Sequence, residues 1–382
     1  MRIAMVGPFG LHPNKTMASR ALGLARPFSQ QGHAVKIFMP PWQTPNEADK
    51  SWEVDGVELR YVPLRGGILG ITRRMVREIL AWQPDVVHCF KPKAYSGLVA
   101  WWLWQFHRAN VRLVMDTDDW EGWGGWNELA PYSPLQKRFF AWQEQWGMRH
   151  CHALTVASRA LQTLAWGLGL PPERVVYVPN GPGISPLHPF TPSPSLQTQP
   201  TLLVYSRLFE FDTGRLVAIL RGVQTAVPNL RILMVGAGLY EADAANFRQQ
   251  AEVAGIWQAI EDAGWVALEA LPALLAQAHV GIYLMEDTLL NRTKCPVKLA
   301  DMLAVGVPVV AEAVGQVGEY VVNGRSGTTF PTGDTTNITN ELIHILQNTE
   351  LQSTLSDGAK SHIEENFSWE TLADRLLSAY ER

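Results

Sequence analysis

Thr293 to Gly306 reads T-K-C-P-V-K-L-A-D-M-L-A-V-G and runs straight into the apolar Val307-Pro308-Val309-Val310. Pro296 presets a helical φ where a helix can begin, and Gly306 with Pro308 stops one, so the stretch predicts a single helix of about ten residues. Lys298 and Asp301 are three apart and share a face near the helix start. Free backbone N–H groups and the positive end of the dipole favour phosphate there. Two readings stand: a nucleoside diphosphate site, with Lys298 on the phosphates and Asp301 on the ribose hydroxyls, or an exposed i,i+3 ion pair on a surface helix.

The rest of the chain narrows the choice. Its 382 residues give room for two domains, each with its own core. A composition 47% hydrophobic and 18% charged, with a formal net charge of −4, describes an ordinary soluble globular chain without the basic field that nucleic acid requires. Three scattered cysteines, Cys89, Cys151 and Cys295, supply neither a disulfide framework nor a zinc site and fit a reducing cytoplasm. M-R-I-A-M-V-G at the start reads as a buried strand rather than a secretory segment. The longest apolar run, Gly97 to Phe106, is far short of the ~20 residues that span a bilayer. The expected location is cytoplasmic, with the inner face of the membrane as a peripheral option.

Strand and helix signals alternate along the chain. Arg2 to Val6 predicts a strand, Gly7 to Lys15 a glycine- and proline-rich loop, Thr16 to Gln31 a helix with Pro27 inside it, and Ala34 to Met39 a second strand. That unit implies a parallel sheet with a ligand-binding carboxyl edge. Val57 to Val62, Val86 to Cys89, Val111 to Met115, Ala153 to Ala157 and Arg174 to Val178 continue the strands. Ile68 to Trp82 and Phe139 to His150 read as helices. The first of these carries Arg73, Arg74 and Arg77 on its polar face, either solvated or set against an anionic lipid surface. Lys91, just past a strand, is a candidate anion contact or an exposed loop lysine.

After Met115 come Asp116, Asp118, Asp119 and Glu121, then Trp120, Trp123 and Trp126 among three glycines. The loop reads as a carboxylate and indole surface for a sugar, ahead of an oxygen-ligand metal site or a solvated acidic loop. A proline-, serine- and threonine-rich linker follows. Strand-helix alternation then restarts at Thr201 and runs to a last amphipathic helix, Trp369 to Tyr380.

Seven motifs follow one another along the chain: Gly7 to Gly10, Pro179-Asn180-Gly181, Ser206-Arg207-Leu208, Val235-Gly236-Ala237-Gly238, P-V-K-L-A-D-M-L-A-V-G-V-P-V-V, G-Q-V-G-E-Y-V-V-N-G-R-S-G-T-T-F and the F-S-W-E of the last helix. Taken in that order, they resemble those of the family-4 retaining glycosyltransferases of the GT-B fold. The resemblance implies an α/β architecture of two doubly wound Rossmann-like domains facing across a cleft. The expected domains are 1–185 and 201–366, joined by a linker over 186–200, with the helix of about 367–382 packing back on the first. It implies transfer of a hexosyl unit from a nucleoside diphosphate sugar to a saccharide, lipid or small-molecule acceptor, with retention and no obligatory metal or other cofactor. Alternatives on the same fold are an epimerase, a phosphorylase or a non-catalytic nucleotide or sugar binder.

Asp301 matches the second carboxylate of the family's Glu-x7-Glu motif, and Thr293 stands where the first belongs. Arg207 matches the arginine on the donor phosphates, but Asp212 occupies the place of the companion lysine, a charge that Lys298 could restore. In place of the histidine that contacts the transferred sugar are Asp116, Asp118 and Asp119. The candidates are therefore Asp118, Asp119, Arg207 and Lys298 for catalysis. Gly10, Arg207, Gly236, Gly238, Pro296, Lys298, Asp301 and Glu319 are expected about the nucleotide sugar, and Lys91, Trp120 and Trp123 on the acceptor side.

Overall fold

Every apolar run read as a strand is one in the computed structural model, which describes residues 1–13, 16–184, 199–236 and 238–381. β1 (Arg2–Val6) is buried because helices cover both faces of its sheet. α1 (Leu22–Gln30) leads to β2 (Ala34–Met39), which pairs in parallel with β1, Arg2 opposite Ala34. The helix expected over Thr16–Gln31 is in two parts, because Met17–Ala21 forms a wider π-turn ahead of α1, while Pro27 stays inside. There follow β3 (Ser51–Val54), β4 (Val57–Tyr61), α2 (Gly67–Ala81), β5 (Val86–Phe90), α3 (Ala94–His107) and β6 (Arg112–Thr117). α4 (Trp126–Leu129), α5 (Pro134–Arg149), β7 (Ala153–Val156), α6 (Arg159–Gly167) and β8 (Val175–Tyr177) complete the run.

The sheet order is β3-β4-β2-β1-β5-β6-β7-β8, parallel except where β3 turns back on β4. That hairpin turns at Asp55-Gly56, both at positive φ (52° and 78°), as a two-residue turn of the favoured hand requires. α5 starts five residues earlier than its periodicity indicates, since Ser133 and Gln136 form a capping box.

The second sheet is wholly parallel, ordered β11-β10-β9-β12-β13-β14. Its strands are β9 (Thr201–Tyr205), β10 (Arg231–Val235), β11 (Ile260–Asp262), β12 (Val280–Tyr283), β13 (Val309–Glu312) and β14 (Gly327–Phe330). Its helices include α7 (Thr213–Ala226), α8 (Glu241–Val253), α9 (Leu271–Leu275), α10 (Leu289–Thr293), α11 (Val297–Ala304), α12 (Val317–Tyr320), α13 (Thr335–Gln347) and α14 (Thr349–Phe367).

By their contacts, Met1–Gly181, Thr293–Cys295 and Trp369–Arg382 form one unit, and Pro182–Arg292 with Pro296–Ser368 the other. Most of the linker read over 186–200 lies outside the described residues, as do Asn14, Lys15 and Ala237 of the two glycine-rich loops. α15 (Trp369–Glu381) belongs to the first unit and buries Leu372, Ala373, Leu376, Ala379 and Tyr380. Each such leucine contributes about 1.5–3 kcal/mol. Gly23 of α1 lets the Trp369 indole approach, since a Cβ there would sit 2.5 Å from the ring. Among the described residues no helix is long and apolar enough to cross a membrane.

Candidate active site

Three features of the second unit meet at the carboxyl edge of its sheet. β9 ends at Tyr205 and turns through Ser206-Arg207-Leu208, where the Ser206 hydroxyl accepts from the Leu208 amide at 3.0 Å. β10 ends beside it in Gly236, at φ 94°, and a side chain there would collide with the Ser206 carbonyl oxygen. Only glycine lets the two loops close up. At Gly238 a Cβ would lie 2.5 Å from the Tyr240 carbonyl oxygen. α11 begins after Pro296 without a side-chain cap, so its first turn keeps the backbone donors that suit an anion.

Lys298 sets its ammonium 5.1 Å from the centre of the Tyr205 ring. Both line a small pocket with Ser206, Glu210, Phe211 and Tyr283. Burial, with Asp301 nearby, pushes the Tyr205 hydroxyl well above its ordinary pKa, so it stays protonated. Asp301 is 2% exposed, and its Oδ1 accepts from the amides of Gly183 (2.7 Å) and Ile184 (3.2 Å). An exposed surface ion pair is thereby excluded, and one carboxylate oxygen is committed to the backbone.

Arg207 reaches Glu210 at 3.0 Å and lies over the Phe209 ring. Asp212 is the N-cap of α7, accepting from the Arg215 amide at 3.0 Å. Arg215, a cation the sequence reading passed over, pairs with Glu312 at 2.6 Å and Glu286 at 2.8 Å. Glu312 is 1% exposed and also accepts from the amides of Met285 and Gly333. Glu319 is half-buried on α12, its carbonyl oxygen 2.8 Å from Nε2 of His362.

The first unit gathers charge at the ends of β5 and β6. Lys91 is 6% exposed, at φ 56°, with its ammonium 2.9 Å from Asp118, 3.1 Å from Glu121 and 3.4 Å from Asp119. The reading of Lys91 as an exposed loop lysine is thereby corrected: three carboxylates compensate its burial. Lys93 meets Glu121 at 2.5 Å, over the rings of Tyr132 and Phe140. Burial raises the Glu121 carboxyl, but Lys91 and Lys93 outweigh it and hold the group below its ordinary range. Burial also raises Asp118, which Lys91 only partly offsets. Asp119 keeps a side chain 26% exposed and is the more accessible of the two aspartates.

Glu144 on α5, missed in the sequence, is wholly buried. Thr117 donates to one oxygen at 3.1 Å, and the other has no hydrogen-bond partner among the described residues. Burial and the charge on Glu121 push its carboxyl well above the usual range, which favours the protonated form. Of the tryptophans, Trp120 is buried beneath Gly122 and Gly125, its N–H donating to the Trp123 carbonyl at 2.7 Å, and so packs the loop. Trp123 is 48% exposed and keeps a free face. At Gly10 a Cβ would approach the Tyr61 hydroxyl to 2.9 Å, and the neighbouring Leu11 amide donates to that oxygen. Among the described residues no cluster of three metal-ligating side chains occurs.

Asp116 is wholly buried rather than solvated. Its carboxylate takes a two-pronged ion pair from Arg20 (2.6 and 2.8 Å) and accepts from the Thr155 hydroxyl at 2.6 Å. Because Thr155 donates there, it accepts from Nε2 of His88 (3.2 Å), which leaves Nδ1 to accept from the Tyr380 hydroxyl (2.8 Å). Burial lowers His88 to about 4 and keeps it neutral, as that chain requires. Arg20 also donates to Asn180 and to the Pro179 carbonyl, and Asn180 donates to the Cys295 carbonyl. Thr293, at the vacant place of the motif carboxylate, is buried, and its carbonyl accepts from Ser158.

Two family models match the chain, a glycosyl transferase 4-like domain over residues 15–181 and glycosyl transferases group 1 over 199–348. A phosphatidyl-myo-inositol mannosyltransferase of Mycobacterium leprae is 23% identical over 396 aligned positions, covering 100% of this chain and 96% of the relative. Sucrose-phosphate synthase from Thermosynechococcus elongatus superposes with a TM-score of 0.71 at 18% identity, covering 100% of this chain and 98% of that one. Anabaena HepE in complex with UDP gives 0.69 at 18%, covering 99% and 98%. The two family models make the chain a glycosyltransferase, and its two α/β units, each built on a mainly parallel sheet, have the GT-B fold. The chain belongs to the group 1 glycosyltransferases, family 4 of that fold.

Proposed function

We propose that the protein transfers a hexosyl unit from a nucleoside diphosphate sugar to an acceptor hydroxyl with retention of anomeric configuration. The observation that carries this reading is the uncapped start of α11 with Lys298 beside the Tyr205 pocket, next to Arg207. HepE, of like fold, is solved with UDP-glucose, and the mycobacterial relative is named for mannosyl transfer to a phosphoinositide. Both support a nucleotide-sugar donor and a hydroxyl-bearing saccharide or lipid acceptor. A cytoplasmic site of action is part of the same proposal.

The chemical task is to stabilise a departing diphosphate and a cationic sugar together. In this reading Lys298, Arg207 and the first turn of α11 take the negative charge as the bond from C1 to the phosphate oxygen breaks. Asp301 turns its second oxygen to the ribose. The acceptor oxygen then bonds C1 on the same face, and its proton passes to the diphosphate, so no protein nucleophile is required. Two cations and a helix terminus supply the stabilisation without a divalent ion, and activity is expected to survive a chelator.

A panel of nucleotide sugars, scored by thermal shift and then by turnover, tests the reading. Acceptor-dependent release of free nucleoside diphosphate supports transfer. Donor isomerisation would mean an epimerase, and binding without turnover a non-catalytic binder. Lys298→Ala is expected to weaken donor binding roughly tenfold or more, the scale of one lost charge-assisted contact, with acceptor binding little changed. Equal donor affinity by calorimetry would remove Lys298 from the site.

A further inference from the structure

α3 and α5 pack side by side on the first sheet, and the surface they leave outward is unusual. On α5 the outward stripe runs Leu135 (79% exposed), Arg138, Phe139 (41%), Trp142 (47%), Trp146 and Arg149. Spacings of three and four put all six on one helical face. Its rings form a ladder, Phe139 to Trp142 at 5.8 Å, Trp142 to Trp146 at 6.0 Å and Trp146 to His150 at 4.3 Å. α3 continues it with half-buried Trp101 and Trp102 around the 64% exposed Phe106, and ends in exposed Arg108. A helix apolar on every side is normally enclosed. Here its outer side faces solvent.

The charges on these helices are of one sign. α3 contains no acid, and the single acid of α5, Glu144, is buried on the opposite face. Exposed Arg73 and Arg77 on neighbouring α2 extend the cationic fringe, Glu78 of that helix being paired with Arg60. Two exposed acids border the face, Glu128 of α4 and Glu173, which precedes the Arg174 that donates to the Arg149 carbonyl. Exposed indoles and phenyl rings bordered by arginines complement an anionic lipid surface, where rings enter at headgroup depth and arginines meet phosphates.

We propose that the α3–α5 face docks on an anionic membrane surface, with Phe139, Trp142 and Phe106 entering the interface. The occupant is the lipid bilayer. The charge of one sign along the exposed face is what selects it, since anionic headgroups complement arginines without needing acids of the face's own.

Co-sedimentation of the full chain with extruded vesicles, phosphatidylglycerol in phosphatidylcholine against phosphatidylcholine alone, tests this. No donor or acceptor is present, so the result is independent of the glycosyl-transfer reading. The wild type is expected to pellet with the anionic vesicles and about tenfold less with the neutral ones. Phe139→Ser with Trp142→Ser, both exposed and so compatible with folding, should cut partitioning at least about tenfold. Arg108→Glu with Arg138→Glu should cut it comparably. Unchanged thermal unfolding of both variants confirms that the loss is one of binding. Absence of wild-type binding, or aromatic variants that partition as the wild type does, would overturn the proposal. So would a dimer in solution, dissociated by Trp142→Ser, that ignores vesicles.

Discussion

Arg20→Met removes the cation from a site where no water can replace it. The Arg20 and Asp116 side chains are 2% and 0% exposed, and the variant leaves Asp116 with the Thr155 hydroxyl as its remaining side-chain donor in this network. Breaking a buried pair by removing one partner costs about 3–5 kcal/mol. Loss of the bonds to Asn180 and Pro179 places this case near the upper end. With a urea slope of about 3 kcal/mol/M, the midpoint of the first unit should fall by about 1.5 M. Thirteen of the 15 tryptophans lie in that unit, so indole fluorescence reports it selectively.

The pH dependence carries the sign. Burial raises the Asp116 carboxyl, but Arg20 more than offsets this and holds it below its ordinary value. In the wild type its contribution is therefore present above about pH 4 and lost as pH falls through the folded-state value. In Arg20→Met the cation no longer opposes burial and the Thr155 hydroxyl offsets it only in part, so the folded form binds its proton more tightly than the unfolded chain does. The deficit should then be largest near pH 7 and shrink toward pH 4.5. Adding Asp116→Asn removes the stranded charge and should recover about half the loss at pH 7. A loss under about 1 kcal/mol, or a deficit unchanged between pH 7 and 4.5, would refute the assignment of a buried, mutually dependent pair.

Glu144→Gln tests the raised carboxyl pKa. Because its folded-state pKa is raised, the wild type loses up to about 1.4 kcal/mol per pH unit above the unfolded value near 4.3 until the folded-state value is passed, and the glutamine variant should gain relative to it as pH rises through that window in urea titrations. A constant difference across that range would mean that Glu144 is ionised. Gly236→Ala should cost the second unit about 2 kcal/mol or more, since it places a side chain at φ 94° against the Ser206 carbonyl; wild-type stability by differential scanning fluorimetry would contradict that close approach. Asp119→Asn should lower turnover with little change in stability, whereas Asp118→Asn should lower both, being buried against Lys91. Full turnover in both variants would take the aspartates out of the reaction.

Fold class was legible because each parallel strand is covered on both sides and so spells a continuous apolar run. Where one side is open the signal fades: β3, S-W-E-V at the sheet edge, alternates weakly and was missed, although Asp55-Gly56 marks its turn. α3 was read only as too short to span a membrane, because tryptophans on every side erase its periodicity. Side-chain pairing was legible least. Arg20 and Asp116 are 96 residues apart, and only β6 lying two strands from β1 lets the Met17–Ala21 turn reach it. Asp116 therefore read as one more acid in a loop, and the local acidic pattern could not separate it from the Asp118 and Asp119 that meet Lys91.

The vacant lysine position at 212 shows how local and distant demands combine. A helix start favours a side-chain acceptor, and Asp212 supplies it to the Arg215 amide, which moves the nearest cation one turn on. Arg215 is not equivalent to the missing lysine. Its partner Glu312 is 1% exposed and bound by two backbone amides, so drawing Arg215 away would leave a buried carboxylate short of its counter-charge, at a cost of about 3–5 kcal/mol. Arg207 is held differently. Its side chain is 30% exposed and that of its partner Glu210 10%, against 19% and 1% for Arg215 and Glu312, so the Arg207 pair is the more solvated of the two. A diphosphate would compete for Arg207 at a lower cost than for Arg215. The burial of the partner, more than the presence of the cation, thus makes Arg207, rather than Arg215, the arginine on which the proposed transfer depends.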